Sequence, residues 1–241
     1  MVMIFDPPPK VILIDAGFTL TFCDGQRIAA HAALAGVAAD PEALVRVEEA
    51  LRAALRETPG VPLSTHDDGG SAWLHRFFRL MLELTGCEAP GGLDRAAEII
   101  LRQHLSRNVW CRVGVGVDAA LTRLRMAGFR LAVVSNSEGT VEAMLEEVGL
   151  RRHFETVLDS TVVGLVKPDP RIFKLALDRL GASPSETVMV GDSPSADVVG
   201  ARGAGLRAAL LDPYDFYTTV DAPRFRDLAA FTDALLAAAE N

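Results

Sequence analysis

The chain has 241 residues, 49% of them hydrophobic and 23% charged, with a formal net charge of -8. That length and composition describe an ordinary globular protein of one large domain or two small ones. The acidic balance argues against a nucleic-acid binder, no apolar run is long enough to span a bilayer, and MVMIFDPPPK lacks the basic start and apolar core of a signal peptide.

The first element is the apolar strand VILI, which runs into Asp15 and places a lone carboxylate at a sheet edge, where ligands bind in α/β folds. From about Asp24 to Asn108 the pattern changes. RIAAHAALAGV, PEALVRVEEALRAALRE, GSAWLHRFFRLMLELTG and GLDRAAEIILRQHL all carry helical periodicity, separated by Gly and Pro, and no strand stands out among them. Such an insertion directly after the first strand is expected to act as a helical cap over the site. An ordinary second helical domain is the alternative.

Alternation of strand and helix resumes near Val109. FRLAVVSN is a buried strand, TVEAMLEEVGL a helix closing at Gly149, and FETVLDS a shorter strand. DPRIFKLALDRLG is a helix bounded by Pro170 and Gly181. ETVMVGDS is a strand ending in Asp192, SADVVGARGAGL a small-residue helix, RAALLD the final strand and FRDLAAFTDALLAAAE the closing helix. The expected fold is α/β, a doubly wound parallel, Rossmann-like sheet with an inserted all-helical domain. The expected division is 1–22 and 109–241 for the core and 23–108 for the helices.

Chemistry-bearing residues fall at the strand ends. Asp15 can attack phosphorus and form an aspartyl-phosphate; it can equally cap a loop. The Ser135 hydroxyl and the backbone N–H groups around Asn136 suit a phosphoryl oxygen, although both residue types are also good turn formers. Lys167 is one of three lysines, with Lys10 and Lys174. Pro168 holds it extended before the next helix, so a fixed ammonium there could neutralise the nucleophile and the phosphoryl oxygens. Asp15, Asp192 and Asp197 would converge, and three close carboxylates call for protons or a cation. Hard oxygen ligands beside a phosphate suit Mg²⁺. Cys23, Cys87 and Cys111 show no C-x-x-C spacing, which fits a reducing, cytoplasmic compartment.

Taken in order, Asp15/Thr19, Ser135-Asn136, Lys167 and Asp192/Asp197 resemble the four motifs of the haloacid dehalogenase superfamily, and the helical insertion resembles its type 1 cap. Within the superfamily, the chain is most similar in feel to the phosphatase-like group of haloacid dehalogenase-like domain-containing protein 3. The resemblance implies a Mg²⁺-dependent hydrolase of a small phosphorylated metabolite, a monomer or homodimer with no nucleic-acid or membrane partner. Asp15 is then nucleophile and metal ligand. Ala16, Gly17, Thr19, Ser135, Asn136 and Lys167 surround the phosphoryl group. Asp192, Asp197 and the Gly17 carbonyl complete the metal shell.

One position departs from the pattern. The superfamily's phosphatases carry an Asp two residues after the nucleophile as acid and base, help that is typically worth about 10²–10⁴-fold. Here it is Gly17, followed by Phe18. Candidate replacements are His66, Asp67, Asp68 and His31, each of which has an ordinary structural reading as well. A metal-independent 2-haloacid dehalogenase lacks that Asp too, but Asp192 with Asp197 argues against it. A phosphonate hydrolase would need a lysine in the helical insertion, which has none. A catalytically weak binding protein remains the non-enzymatic alternative.

Overall fold

The computed structural model describes residues 5–56 and 71–239. The chain divides into two compact units, Met1–Phe22 with Val113–Asn241, and Cys23–Arg112.

The first unit opens with β1 (Val11–Ile14), whose four residues are all buried. β2 (Thr21–Phe22) follows. In the second unit lie α1 (Gly25–Ala33), α2 (Pro41–Arg46), α3 (Glu48–Arg56), α4 (Ser71–Leu84) and α5 (Leu93–Ser106). The chain returns through β3 (Arg112–Val113), α6 (Val117–Met126), β4 (Arg130–Ser135), α7 (Val141–Glu147), β5 (Thr156–Asp159), α8 (Ser160–Val163) and α9 (Pro170–Leu180). It closes with β6 (Thr187–Gly191), α10 (Gly200–Gly203), β7 (Arg207–Leu211), β8 (Arg224–Phe225) and α11 (Leu228–Ala239).

Six strands form one sheet in the order β5-β4-β1-β6-β7-β8, while β2 and β3 pair separately. Every pairing in the large sheet is parallel, with Ile14 opposite Val133 on one side and Val190 on the other. Central parallel strands are buried on both faces, which is why VILI and TVMVG read as unbroken apolar runs. Leu13, Val134, Leu158 and Met189 pack with Ile172 and Phe173 of α9 in a core beneath the sheet. Winding runs outward from β1 through β4 to β5, then jumps back to β6 and runs the other way. The switch point therefore lies between β1 and β6, and ligand crevices form outside the carboxyl ends of such strands.

Helix ends follow their sequence signals. Asp169 caps α9 by accepting from the Arg171 N–H, and Gly181 closes the helix in the left-handed region at φ +58°. Asp40 caps α2, with Pro41 in its first turn. The helical unit is centred on aromatics: Trp73 stacks on Phe77 at 5.1 Å, and Phe77 meets Trp110 at the same distance. His104 is fully buried there and accepts the Val109 N–H through Nδ1 at 3.2 Å.

Three elements differ from expectation. The single helix expected over PEALVRVEEALRAALRE is two, α2 and α3, broken at Val47 one residue before Glu48, whose carboxylate is drawn inward to pair with Arg112 at 3.5 Å. The small-residue helix begins as a π-helical turn over Pro194–Val199 and becomes α-helical only at Gly200. RAALLD is not the last strand, because β8 adds a short parallel edge beyond it.

Candidate active site

Asp15 leaves the end of β1 with its N–H donated to the Val190 carbonyl at 2.9 Å, so the sheet ladder holds the backbone of Asp15 itself. Its carboxylate is nearly buried, with 8% of the residue exposed. Oδ1 accepts from Ser135 Oγ at 3.1 Å and from Lys167 Nζ at 2.7 Å. No hydrogen bond among the described residues ties Oδ2.

Lys167 is 2% exposed, and its ammonium also reaches Asp197 Oδ1 at 2.6 Å. Burial alone would lower its pKa, but the Asp15 and Asp197 carboxylates outweigh burial and hold it above the ordinary lysine value. For Asp15, burial is the largest influence and raises the carboxyl pKa; Lys167 pulls it back, and Asp197 pushes it up again.

The Lys167 backbone is fixed as firmly as its side chain. Asn136 Nδ2 donates to the Lys167 carbonyl at 2.9 Å, and the Lys167 N–H donates to Asn136 Oδ1 at 2.8 Å. One amide thus satisfies both backbone groups of the lysine and ties the end of β4 to the segment before α9. Asp197 is fixed in turn by the Ser193 N–H on Oδ2 at 2.9 Å. Gly191 makes room for this: a Cβ there would lie 2.1 Å from Asp197 Oδ2.

Oxygen atoms of Asp15, Asp192 and Asp197 lie within 4.8 Å of one another. Three carboxylates against one ammonium leave an excess of negative charge. The donor set is all hard oxygen, and the charge and chemistry fit a small divalent cation.

The structure brings Asp15, Ser135, Lys167, Asp192 and Asp197 together. Asn136 stands beside them, but its side chain serves Lys167. Ala16 and Gly17 form a tight turn after Asp15, with the Ala16 carbonyl accepting from the N–H groups of Leu20 and Thr21. Thr19 is buried and its hydroxyl has no hydrogen-bond partner among the described residues. Phe18 holds φ +54°, a strained value for a side chain of that size. His31 lies in α1 of the helical unit, where burial lowers its pKa. His66, Asp67 and Asp68 lie outside the described residues.

Sequence reasoning missed Asp159. At the end of β5 this buried carboxylate accepts the N–H groups of Gly139 at 3.0 Å, Val141 at 3.3 Å and Thr161 at 3.0 Å. Ser160 Oγ accepts the Ser137 N–H at 3.0 Å, and Thr161 Oγ1 donates to the Ser137 carbonyl at 2.6 Å. The loop after Ser135 is therefore pinned from the neighbouring strand. The signal was the triplet Asp-Ser-Thr directly after a strand, three short polar side chains able to bond backbone.

Residues 9–205 match the family model of haloacid dehalogenase-like hydrolases. The chain is 40% identical to phosphoserine phosphatase of Thermus thermophilus over 141 residues, 57% of this chain and 53% of that protein, so it spans about half of that relative. It is 32% identical to haloacid dehalogenase-like hydrolase domain-containing protein 3 of Mus musculus over 222 residues, 88% of this chain and 85% of that one. Among solved structures it is similar to a HAD phosphatase from Thermococcus onnurineus, with a TM-score of 0.59 at 22% identity, covering 94% of this chain and 97% of that one.

Proposed function

The chain belongs to the haloacid dehalogenase-like hydrolase family, and from that premise we propose that it is a Mg²⁺-dependent phosphohydrolase of a small phosphorylated metabolite, working through an aspartyl-phosphate on Asp15. The observation that carries this reading is the ammonium of Lys167 bridging Asp15 at 2.7 Å and Asp197 at 2.6 Å, beside the Ser135 hydroxyl at 3.1 Å from Asp15.

Oδ1 of Asp15 is held by two donors, which orients Oδ2 as the attacking oxygen. As the Oδ2–phosphorus bond forms and the ester oxygen leaves, negative charge gathers on the phosphoryl oxygens. Lys167 and Ser135 are fixed donors toward that charge and need no reorganisation. Water then attacks the aspartyl-phosphate, releasing phosphate and restoring the carboxylate. Asp15, the Gly17 carbonyl, Asp192 and Asp197 would hold the magnesium ion, with Asp197 also steadying Lys167. When bound, the ion supplies neutralisation of the phosphoryl charge and of the crowded carboxylates. By its resemblance to the superfamily's type 1 cap, the helical unit is assigned the choice of substrate.

Gly17 has no proton to give the leaving oxygen. Substrates whose leaving groups need little protonation, such as acyl or aryl phosphates, should therefore react fastest. The relative named phosphoserine phosphatase supports phosphate-ester chemistry as the class. A phosphatase panel with Mg²⁺ and with EDTA, run beside halide release from 2-haloacids, tests the reading. Magnesium-dependent phosphate release supports it, and metal-independent halide release overturns it. Gly17 also favours a second reading, a weakly catalytic binding protein. Stoichiometric labelling of Asp15 without turnover would identify that case.

A further inference from the structure

Two of the three thiols occupy the places where the chain enters and leaves the helical unit, Cys23 directly after β2 and Cys111 directly before β3. The backbone there runs antiparallel. Gly114 donates its N–H to the Leu20 carbonyl at 3.0 Å, and Asp24 donates to the Val109 carbonyl at 2.8 Å. Between those two bonds the outgoing strand advances four residues and the returning strand five. The returning strand thus carries one extra residue, a β-bulge. Trp110 shows where it lies, because its N–H turns to the Asn108 side chain at 2.8 Å. With β2 paired to β3, this register sets Cys23 opposite Trp110 and Cys111. Arg112 braces the spot by donating to the Cys23 carbonyl at 3.1 Å.

We propose that Cys23 and Cys111 are a redox-sensitive pair, forming a disulfide that closes the helical unit into one covalent loop. Opposed residues of an antiparallel pair have Cα atoms about 4.5–5.5 Å apart, inside the span of about 4.4–6.8 Å that a disulfide bridges. The third thiol is occupied elsewhere: Cys87 contacts Thr85 Oγ1 at 3.2 Å and the Ala38 carbonyl at 4.0 Å.

The two thiols divide the work. Cys23 is 3% exposed, and burial followed by the Glu48 carboxylate holds its thiol well above the ordinary range. Cys111 is half-buried and is the one an oxidant can reach. With a low-molecular-weight disulfide as oxidant, the Cys111 thiolate attacks one sulfur and expels the other half as a thiolate. Cys23 then attacks the Cys111 sulfur of the mixed disulfide and expels the second half. One sulfur–sulfur bond breaks and one forms. The two protein thiols are oxidised, the small disulfide is reduced, and their two protons finish on the two released thiols.

The test treats the full chain and its C87S variant with oxidised glutathione, followed by intact mass and non-reducing peptide mapping. In C87S the expected product lacks two hydrogens, carries no glutathione and reverts with dithiothreitol, and in both proteins the Cys23 peptide is linked to the Cys111 peptide. Its melting temperature should exceed that of the reduced form by several degrees, since the bond closes a long loop. In C23S/C87S the reaction should stop at one glutathione on Cys111. Two persistent thiols in C87S, glutathione on both cysteines, or a bond from Cys87 in place of Cys23 would overturn the proposal.

Discussion

Gly17 concentrates the functional question at a single residue. The proposed mechanism asks Asp15 and its partners for phosphoryl transfer, yet position 17 offers only backbone. In Gly17→Asp, hydrolysis of alkyl monoesters should rise about tenfold or more, while acyl phosphates change little, because only the poor leaving group needs the proton. Equal rates for both variants across both substrate types would place the proton chemistry elsewhere. Gly191 makes the opposite test. A Cβ there collides with Asp197 at 2.1 Å, and displacing Asp197 moves the lysine it holds. Gly191→Ala should lower kcat about 10²-fold with the far-UV spectrum unchanged; a fully active variant would refute the packing argument. Much of this site was legible at the level of single letters: an acid at each of two strand ends, and one of only three lysines in a chain whose positive charge is mostly arginine. The partners of Asn136 were not legible. The sequence reading assigned its backbone to phosphate, and nothing in the letters says that its side chain spends both polar groups on the backbone of residue 167.

At the scale of elements, β5 acts on the site through its pairing with β4, where Asp159 lies opposite Ser135. Its terminal Asp159 gathers three backbone N–H groups, one in the loop that follows Ser135 and one at the start of α7. Truncation in Asp159→Ala removes this shared acceptor, leaves the buried Val141 N–H without it and should cost about 1–3 kcal/mol of stability, read by urea unfolding. It should also weaken inhibition by orthovanadate about tenfold, as the loop loses its hold on a phosphate-like ligand. Asp159→Asn keeps one acceptor and should recover part of both effects. Unchanged vanadate affinity in the alanine variant would limit Asp159 to a structural role. The long elements were readable because their signals are periodic and bounded, as for α9 between Pro170 and Gly181. The π-helical turn at Pro194 and the two-residue β8 were not. The first depends on the Ser193 and Asp197 hydrogen bonds, and the second is too short to carry a period.

For the whole molecule, the cluster of Asp15, Asp192 and Asp197 links a cation to global stability. Carboxylates crowded within 4.8 Å repel one another, so an ion that binds only the folded chain should stabilise it. At Mg²⁺ a hundredfold above its Kd the gain is about 2.7 kcal/mol, which for a chain of this size is about 5–10 °C in Tm. EDTA should reverse the shift and Asp192→Asn should abolish it in calorimetry. A Tm indifferent to magnesium would remove the cation from the site.

The position of β1 also bears on how the chain is made. It is the centre of the sheet, yet its hydrogen-bonding neighbours β4 and β6 are among the later segments synthesised, with Ile14 waiting for Val190. At about 5–20 residues per second, the ribosome needs about 10–35 s between the two. Until β4 emerges VILI is an apolar strand without a sheet neighbour, while the helical unit, built from local contacts, can form behind it. The strand that carries Asp15 precedes both of its sheet neighbours in the chain, so it must stay shielded during synthesis until they follow.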